Sequence, residues 1–184
     1  MSRLARRRRD RPLPAAGVRS RGQRLVGLAA SAQVPEARAW PRVHIEDAFT
    51  RAAVEWTLVG SAEWLATERC RGLLSEFSDE QDRPLADRLA AFDIEPQAHL
   101  ALLLFRDGSG SSQCANERTF AVTTPGGRVL WVCGRRFERL WRADRARAQA
   151  VVIHEMLDTF GLGENPPPGP TITARVLALC DPTG

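Results

Sequence analysis

Val151-Val152-Ile153-His154-Glu155-Met156-Leu157-Asp158-Thr159-Phe160-Gly161-Leu162-Gly163-Glu164-Asn165-Pro166-Pro167 is the stretch on which the reading of the chain turns. The apolar residues, with the Ala-rich segment before them, predict a helix over 143–160. Gly161 is a natural stop just past its end. The prolines at 166, 167, 168 and 170 then predict an extended segment. On a helix, positions four apart share a face, so His154 and Asp158 point the same way, with Glu155 beside them. Val152, Ile153, Met156, Leu157 and Phe160 supply the apolar surface that buries the opposite side. Two potential metal ligands and a carboxylate are therefore presented from a well-anchored helix.

Upstream, residues 34–60 are ambiguous, with a break at Trp40-Pro41 and a stretch that reads as helical from Glu46. Ser61 looks like an N-cap, and Leu65, Cys70, Leu73, Leu74 and Phe77 recur at helical spacing over 62–77. Pro84 opens a short helix over 85–92. The run His99 to Phe105 reads as a buried strand, followed by a Gly/Ser loop over 108–113. Arg118 to Thr123 and Arg128 to Cys133 read as a hairpin turning through Pro125-Gly126-Gly127. Thr171 caps a last short helix through Leu179. Helices, about three mostly antiparallel strands, then one long helix make an α+β domain over 34–184.

The chain of 184 residues suits one domain. Its net charge of +4 divides unevenly. Residues 1–24 carry nine basic side chains and one acid, whereas the remainder carries 17 basic and 21 acidic ones. An acidic fold with a basic tail removes the compositional case for a nucleic-acid-binding domain, and no nucleic-acid partner is expected. All basic residues are Arg, in keeping with a GC-rich genome. No 18-residue apolar run exists, so no membrane span is expected. Residues 1–33 have three open readings: a degenerate secretory signal ending in Ala30-Ser31-Ala32, a disordered basic arm, or translation annotated from too far upstream. Cys70, Cys114, Cys133 and Cys180 include no CxxC pair and suit two disulfides in an oxidising compartment. Cys114 and Cys133 flank the hairpin, which favours Cys114–Cys133 and leaves Cys70–Cys180. Four reduced, buried thiols are the alternative. A secreted or cell-envelope location is expected, with the cytoplasm still open.

The His154 stretch resembles the active-site helix of the zincin metallopeptidases, HExxH, and most nearly the longer metzincin form HExxHxxGxxH. His154 and Glu155 match its first two letters, Gly161 its glycine, and Glu164 stands at the third-ligand position. The run Gly161 to Pro167 is also similar to small bacterial zincin-like proteins. The likeness covers about a dozen residues and the order helix, sheet, active-site helix. It implies a zincin-like fold, Zn2+ held by His154, Asp158 and Glu164, and Glu155 as general base in hydrolysis of a peptide or protein substrate. Arg128 to Val132 would pair with the extended substrate.

Asp158 departs from the family pattern, which has His there. One imidazole and two carboxylates make a harder, more anionic site, so zinc is held weakly or replaced by Mn or Ca. Such a site also leaves a bound water less acidic. Met1 and Met156 are the only methionines, so no Met-turn follows, and Asp181 is the only acid after Glu164. His44 and His99 are read as surface or hydrogen-bonded structural residues. Two functions follow: a metallopeptidase with an atypical HExxD site, or a weak or inactive zincin-fold pseudoenzyme serving as a secreted binding or structural protein. Oligomeric state stays open.

Overall fold

The computed structural model describes residues 41–163 and 167–183. The expected arm or signal over 1–33 lies outside them. The α+β class holds, with seven helices and a four-stranded sheet among the described residues. The strands are β1 (Arg42–His44), β2 (Leu104–Asp107), β3 (Ala121–Thr123) and β4 (Val129–Val132). Their order is β1-β2-β4-β3, with β1 and β4 parallel to β2 and only β3 antiparallel to β4. The sheet is thus mixed and four-stranded, not a mostly antiparallel sheet of three. The hairpin is present as expected. The extra strand, β1, escapes sequence reading because three residues with an exposed Arg42 and His44 carry no period.

Strand registry puts Val43, Phe105, Leu130 and Thr123 on one face, and all but Val43 are buried. The other face, with Arg42, Arg106, Val129 and Trp131, stays exposed or half-buried. The expected substrate-pairing role of Arg128 to Val132 fails on topology. β4 lies between β2 and β3, so both of its edges are already hydrogen-bonded.

Helix α1 (Ala48–Leu65) begins earlier than the Ser61 cap implies. Asp47 is its N-cap, accepting from Thr50 N at 2.7 Å. Ser61 is buried within it and donates to Gln149 O at 3.3 Å. The chain then bends at Thr67, which caps the short helix α2 (Glu68–Arg71) before a 3-10 turn over Gly72–Ser75. Leu65, Cys70, Leu73 and Leu74 are core residues as their spacing suggested, but on a bent path. Helix α3 (Leu85–Ala90) follows Pro84 as expected. Helix α4 (Pro96–Ala101) replaces the first half of the strand read at 99–105; a short apolar run does not separate buried helix from strand, and Pro96 starts the helix.

The single long helix expected over 143–160 is two, α5 (Gly134–Ala143) and α6 (Arg145–Asp158). Asp144 breaks them with an extended backbone (φ −153°, ψ 93°). Its N–H still donates to Leu140 O at 2.7 Å, while its carboxylate caps α6 by accepting from Arg147 N at 2.9 Å. Gly161 ends the segment at φ 96°, the left-handed conformation a glycine favours. Helix α7 (Gly169–Cys180) starts two residues before Thr171, with Pro170 in its first turn rather than in an extended segment. Helix α6 packs against α1, α5, α7 and β3.

Both favoured disulfides are present, Cys70–Cys180 and Cys114–Cys133, with no free cysteine. They close loops of very different length, 110 and 19 residues apart in sequence. In the chain-entropy model, the longer loop is worth about 4.7 kcal/mol and the shorter about 3 kcal/mol. Thiol titration of denatured, unreduced protein should therefore find no free thiol. In urea unfolding, the Cys70→Ser/Cys180→Ser pair should lose more stability than Cys114→Ser/Cys133→Ser. The reverse order would refute the entropic ranking.

Candidate metal centre on helix α6

The second half of α6 is sealed. Every residue from Ala150 to Asp158 is buried, including His154, Glu155 and Asp158 at 4–5% exposure. His154 Nε2 lies 3.8 Å from Asp158 Oδ2, so the one-turn spacing brings these two side chains together as expected. The other ring nitrogen, Nδ1, is 3.0 Å from Thr173 Oγ1 on α7. Burial removes the water that would solvate an imidazolium, and the His154 pKa falls to about 4. The ring is therefore neutral at physiological pH.

The end of the helix is pinned by its backbone. Asp158 O accepts from Gly126 N in the β3–β4 turn and from Gly161 N, both at 2.8 Å. A Cβ at Gly161 would meet Asp79 Cβ at 3.3 Å, so the 78–84 loop lies directly against this stop. Asp79 is buried; Arg83 Nε and the backbone N–H groups of Gln81 and Arg83 donate to it. It organises that loop and is not a metal ligand in this arrangement.

Of the remaining candidates, Glu164 lies outside the described residues. His44 is exposed on β1. His99 on α4 is buried and structural, as read from the sequence. Its Nε2 is 2.8 Å from Thr159 Oγ1, whose hydroxyl donates to Met156 O at 2.6 Å. The hydroxyl hydrogen being committed there, His99 Nε2–H must be the donor to Thr159. The ring also lies 4.1 Å from the Phe160 ring, centroid to centroid. Thr173 is the residue sequence reading missed. It is 19 positions from His154, and nothing in its local pattern marks it apart from the other threonine of Thr171-Ile172-Thr173.

Zn2+ is implied only by the resemblance, and the donor set is its test. Two ligands about 2.1 Å from a tetrahedral ion stand about 3.4 Å apart. The 3.8 Å between His154 Nε2 and Asp158 Oδ2 suits two such ligands with a small adjustment. No group of three His, Cys, Asp or Glu side chains placed to hold an ion occurs among the described residues. The pair therefore fits part of a metal site, with Glu164 the only expected ligand outside the described set. No protein-family model, curated protein or solved structure matches the chain.

Burial of His99 has a pH consequence. Its pKa is lowered to about 4, first by desolvation and then by the Arg128 charge. Above pH 6.5 the ring is neutral in both folded and unfolded chains and its titration contributes nothing. Between pH 6.5 and about 4 the unfolded chain binds the extra proton, so stability falls as pH falls, by up to about 1.4 kcal/mol per pH unit. His99→Gln keeps a donor to Thr159 and should flatten the slope of unfolding free energy against pH in that window. An unchanged slope would show that His99 does not remain neutral in the fold.

Proposed function

We propose that the chain is a zincin-like, metallopeptidase-type protein whose α6 holds a divalent cation between His154, Asp158 and Glu164. The carrying observation is the His154–Asp158 pair, 3.8 Å apart on one buried helical turn with Glu155 next in sequence. In this reading residues 34–184 form the zincin-like domain. The two disulfides support a secreted or cell-envelope location. No described helix is long and apolar enough to cross a membrane.

A bound divalent cation supplies Lewis acidity toward a scissile carbonyl. Glu155 takes the proton of the attacking water and returns it to the leaving amine. Asp158 makes the site anionic, favouring weak zinc binding or a harder ion such as Mn2+ or Ca2+. The substrate is a peptide or protein.

Burial favours a second reading alongside the first. Glu155 at 5% exposure leaves little surface for a peptide to meet. The same residues would then hold a cation in a catalytically weak or inactive zincin-type protein with a binding or structural role.

Metal content, metal titration and cleavage of a quenched peptide library by the full chain separate these readings, with Asp158→His and Glu155→Gln beside it. Asp158→His should tighten zinc binding by at least about tenfold, since imidazole suits zinc better than a further carboxylate. Glu155→Gln should keep metal and lose hydrolysis. If neither the natural chain nor Asp158→His takes up any divalent metal, the metal reading is wrong. If both bind and only Asp158→His cleaves, the pseudoenzyme reading replaces the peptidase.

A further inference from the structure

We propose that the cleft between α1 and the α5–α6 corner is a binding site for a neutral oligosaccharide. The inference does not rest on the metal reading, since none of the residues lining the cleft is a proposed metal ligand.

The cleft holds about 540 Å³, within the about 300–1,000 Å³ usual for ligand sites. One wall is α1, where Trp56, Gly60 and Glu63 follow one another at helical spacing over about 10 Å. The other wall runs from Trp141, near the end of α5, to Arg145 and Gln149 in the first half of α6. Trp56 is 66% exposed, although a tryptophan in a folded domain is on average well covered. Trp141 is half-buried, and the Arg145 guanidinium lies over its ring, 5.1 Å from the centroid. The two residues flank the break at Asp144, so this stacking spans the α5–α6 corner.

Gly60 lies buried inside α1, where glycine is a poor helix former. A Cβ there would meet Gln149 Nε2 at 1.7 Å, so the missing side chain leaves room for the Gln149 amide. Ser61 ties the Gln149 backbone to the same helix, its hydroxyl donating to Gln149 O at 3.3 Å. The amide is thereby seated against the α1 backbone, at the wall of the cleft.

The lining thus combines a carboxylate, a guanidinium and an amide with two indole rings. A cationic ligand gains from Glu63 and is repelled by Arg145, and an anionic ligand meets the reverse. A neutral polyhydroxylated ligand uses all three groups. It donates to Glu63 and accepts from Arg145, while the Gln149 amide does either. A pyranose adds an apolar C–H face that packs flat on an indole, with its hydroxyls leaving at the ring edge. The length of the cleft, two turns of α1, favours a chain of sugars over a single one. A second copy of the chain would cover Trp56 but also bury Glu63 and Arg145, at a desolvation cost that sugar hydroxyls relieve.

Isothermal titration and tryptophan fluorescence of the full chain with cellotetraose, chitotetraose and maltotetraose test this, with tetragalacturonate as the anionic control. Saturable binding of at least one neutral tetrasaccharide is expected, tighter than that of tetragalacturonate. Trp56→Ala removes an exposed ring without touching the core and should weaken binding roughly tenfold. Glu63→Ala should also weaken it. Gly60→Ala, whose Cβ displaces the Gln149 amide, should do the same while the circular dichroism spectrum stays that of the natural chain. Failure of all three neutral probes to bind overturns the proposal, as does affinity unchanged in both Trp56→Ala and Glu63→Ala. Tighter binding of tetragalacturonate overturns the neutral class. A dimer that Trp56→Ala dissociates and no sugar perturbs assigns the face to a second copy and overturns the proposal too.

Discussion

Helix α6 is sealed from Ala150 to Asp158, and three of the side chains in that stretch are ionisable. A surface helix hides one stripe and shows the other to water. This one has no wet side over its last two turns, so an element must cover every direction. α1, α5, α7 and β3 are among the elements packed against it. The cost of enclosing His154 is limited by keeping it neutral, with its pKa near 4 and a hydroxyl at Nδ1. Burial of Val152, Ile153, Met156 and Leu157 in the same stretch offsets part of the cost of enclosing polar side chains.

That enclosure explains the distribution of cross-links. α7 follows a run of prolines and is the last element among the described residues. It is also the element that carries Thr173. A disulfide, a bidentate Arg175–Glu76 pair and the Arg69 contact with Ala178 fasten it to the 69–76 segment. The Arg175–Glu76 pair is partly exposed and contributes modestly on its own. Its use is geometric, since a bidentate fork fixes direction as well as distance. The other disulfide, Cys114–Cys133, does a separate job, tying the loop after β2 to the end of β4 and the start of α5.

Much of this was legible in the sequence, and the exceptions share a cause. The i, i+4 placement of His154 and Asp158, the Gly161 stop, the hairpin and both disulfides follow from local spacing or simple pairing arithmetic. Errors arose where a local signal was overruled by tertiary contact. Ser61 has the chemistry of an N-cap, yet in the middle of α1 its hydroxyl turns to the Gln149 carbonyl. Asp144 looked like one more helical residue, yet it closes α5 and caps α6 at once. The strands at Leu104 and Val129 are legible but their parallel pairing is not, because it joins segments about 25 residues apart, as β1 and β2 are joined across about 60, and leaves no local trace. Thr173 was invisible for the same reason.

The two ends of α6 are fixed by different means, and the site lies between them. Asp144 caps the beginning through its carboxylate. At the other end Asp158 O accepts from Gly126 and Gly161, coupling the helix to the hairpin turn and to the loop held by Asp79. A helix clamped at both ends holds His154 and Asp158 at a set separation, so in the proposed metal reading little ordering would remain to be done on binding. The same clamps oppose the movement a peptide would need to reach Glu155. Under the proposed metal reading, these clamps would favour a preformed site over one that opens to a peptide. Catalysis would require Glu155 to gain access without disturbing the two residues on its own helix that would keep the ion in place.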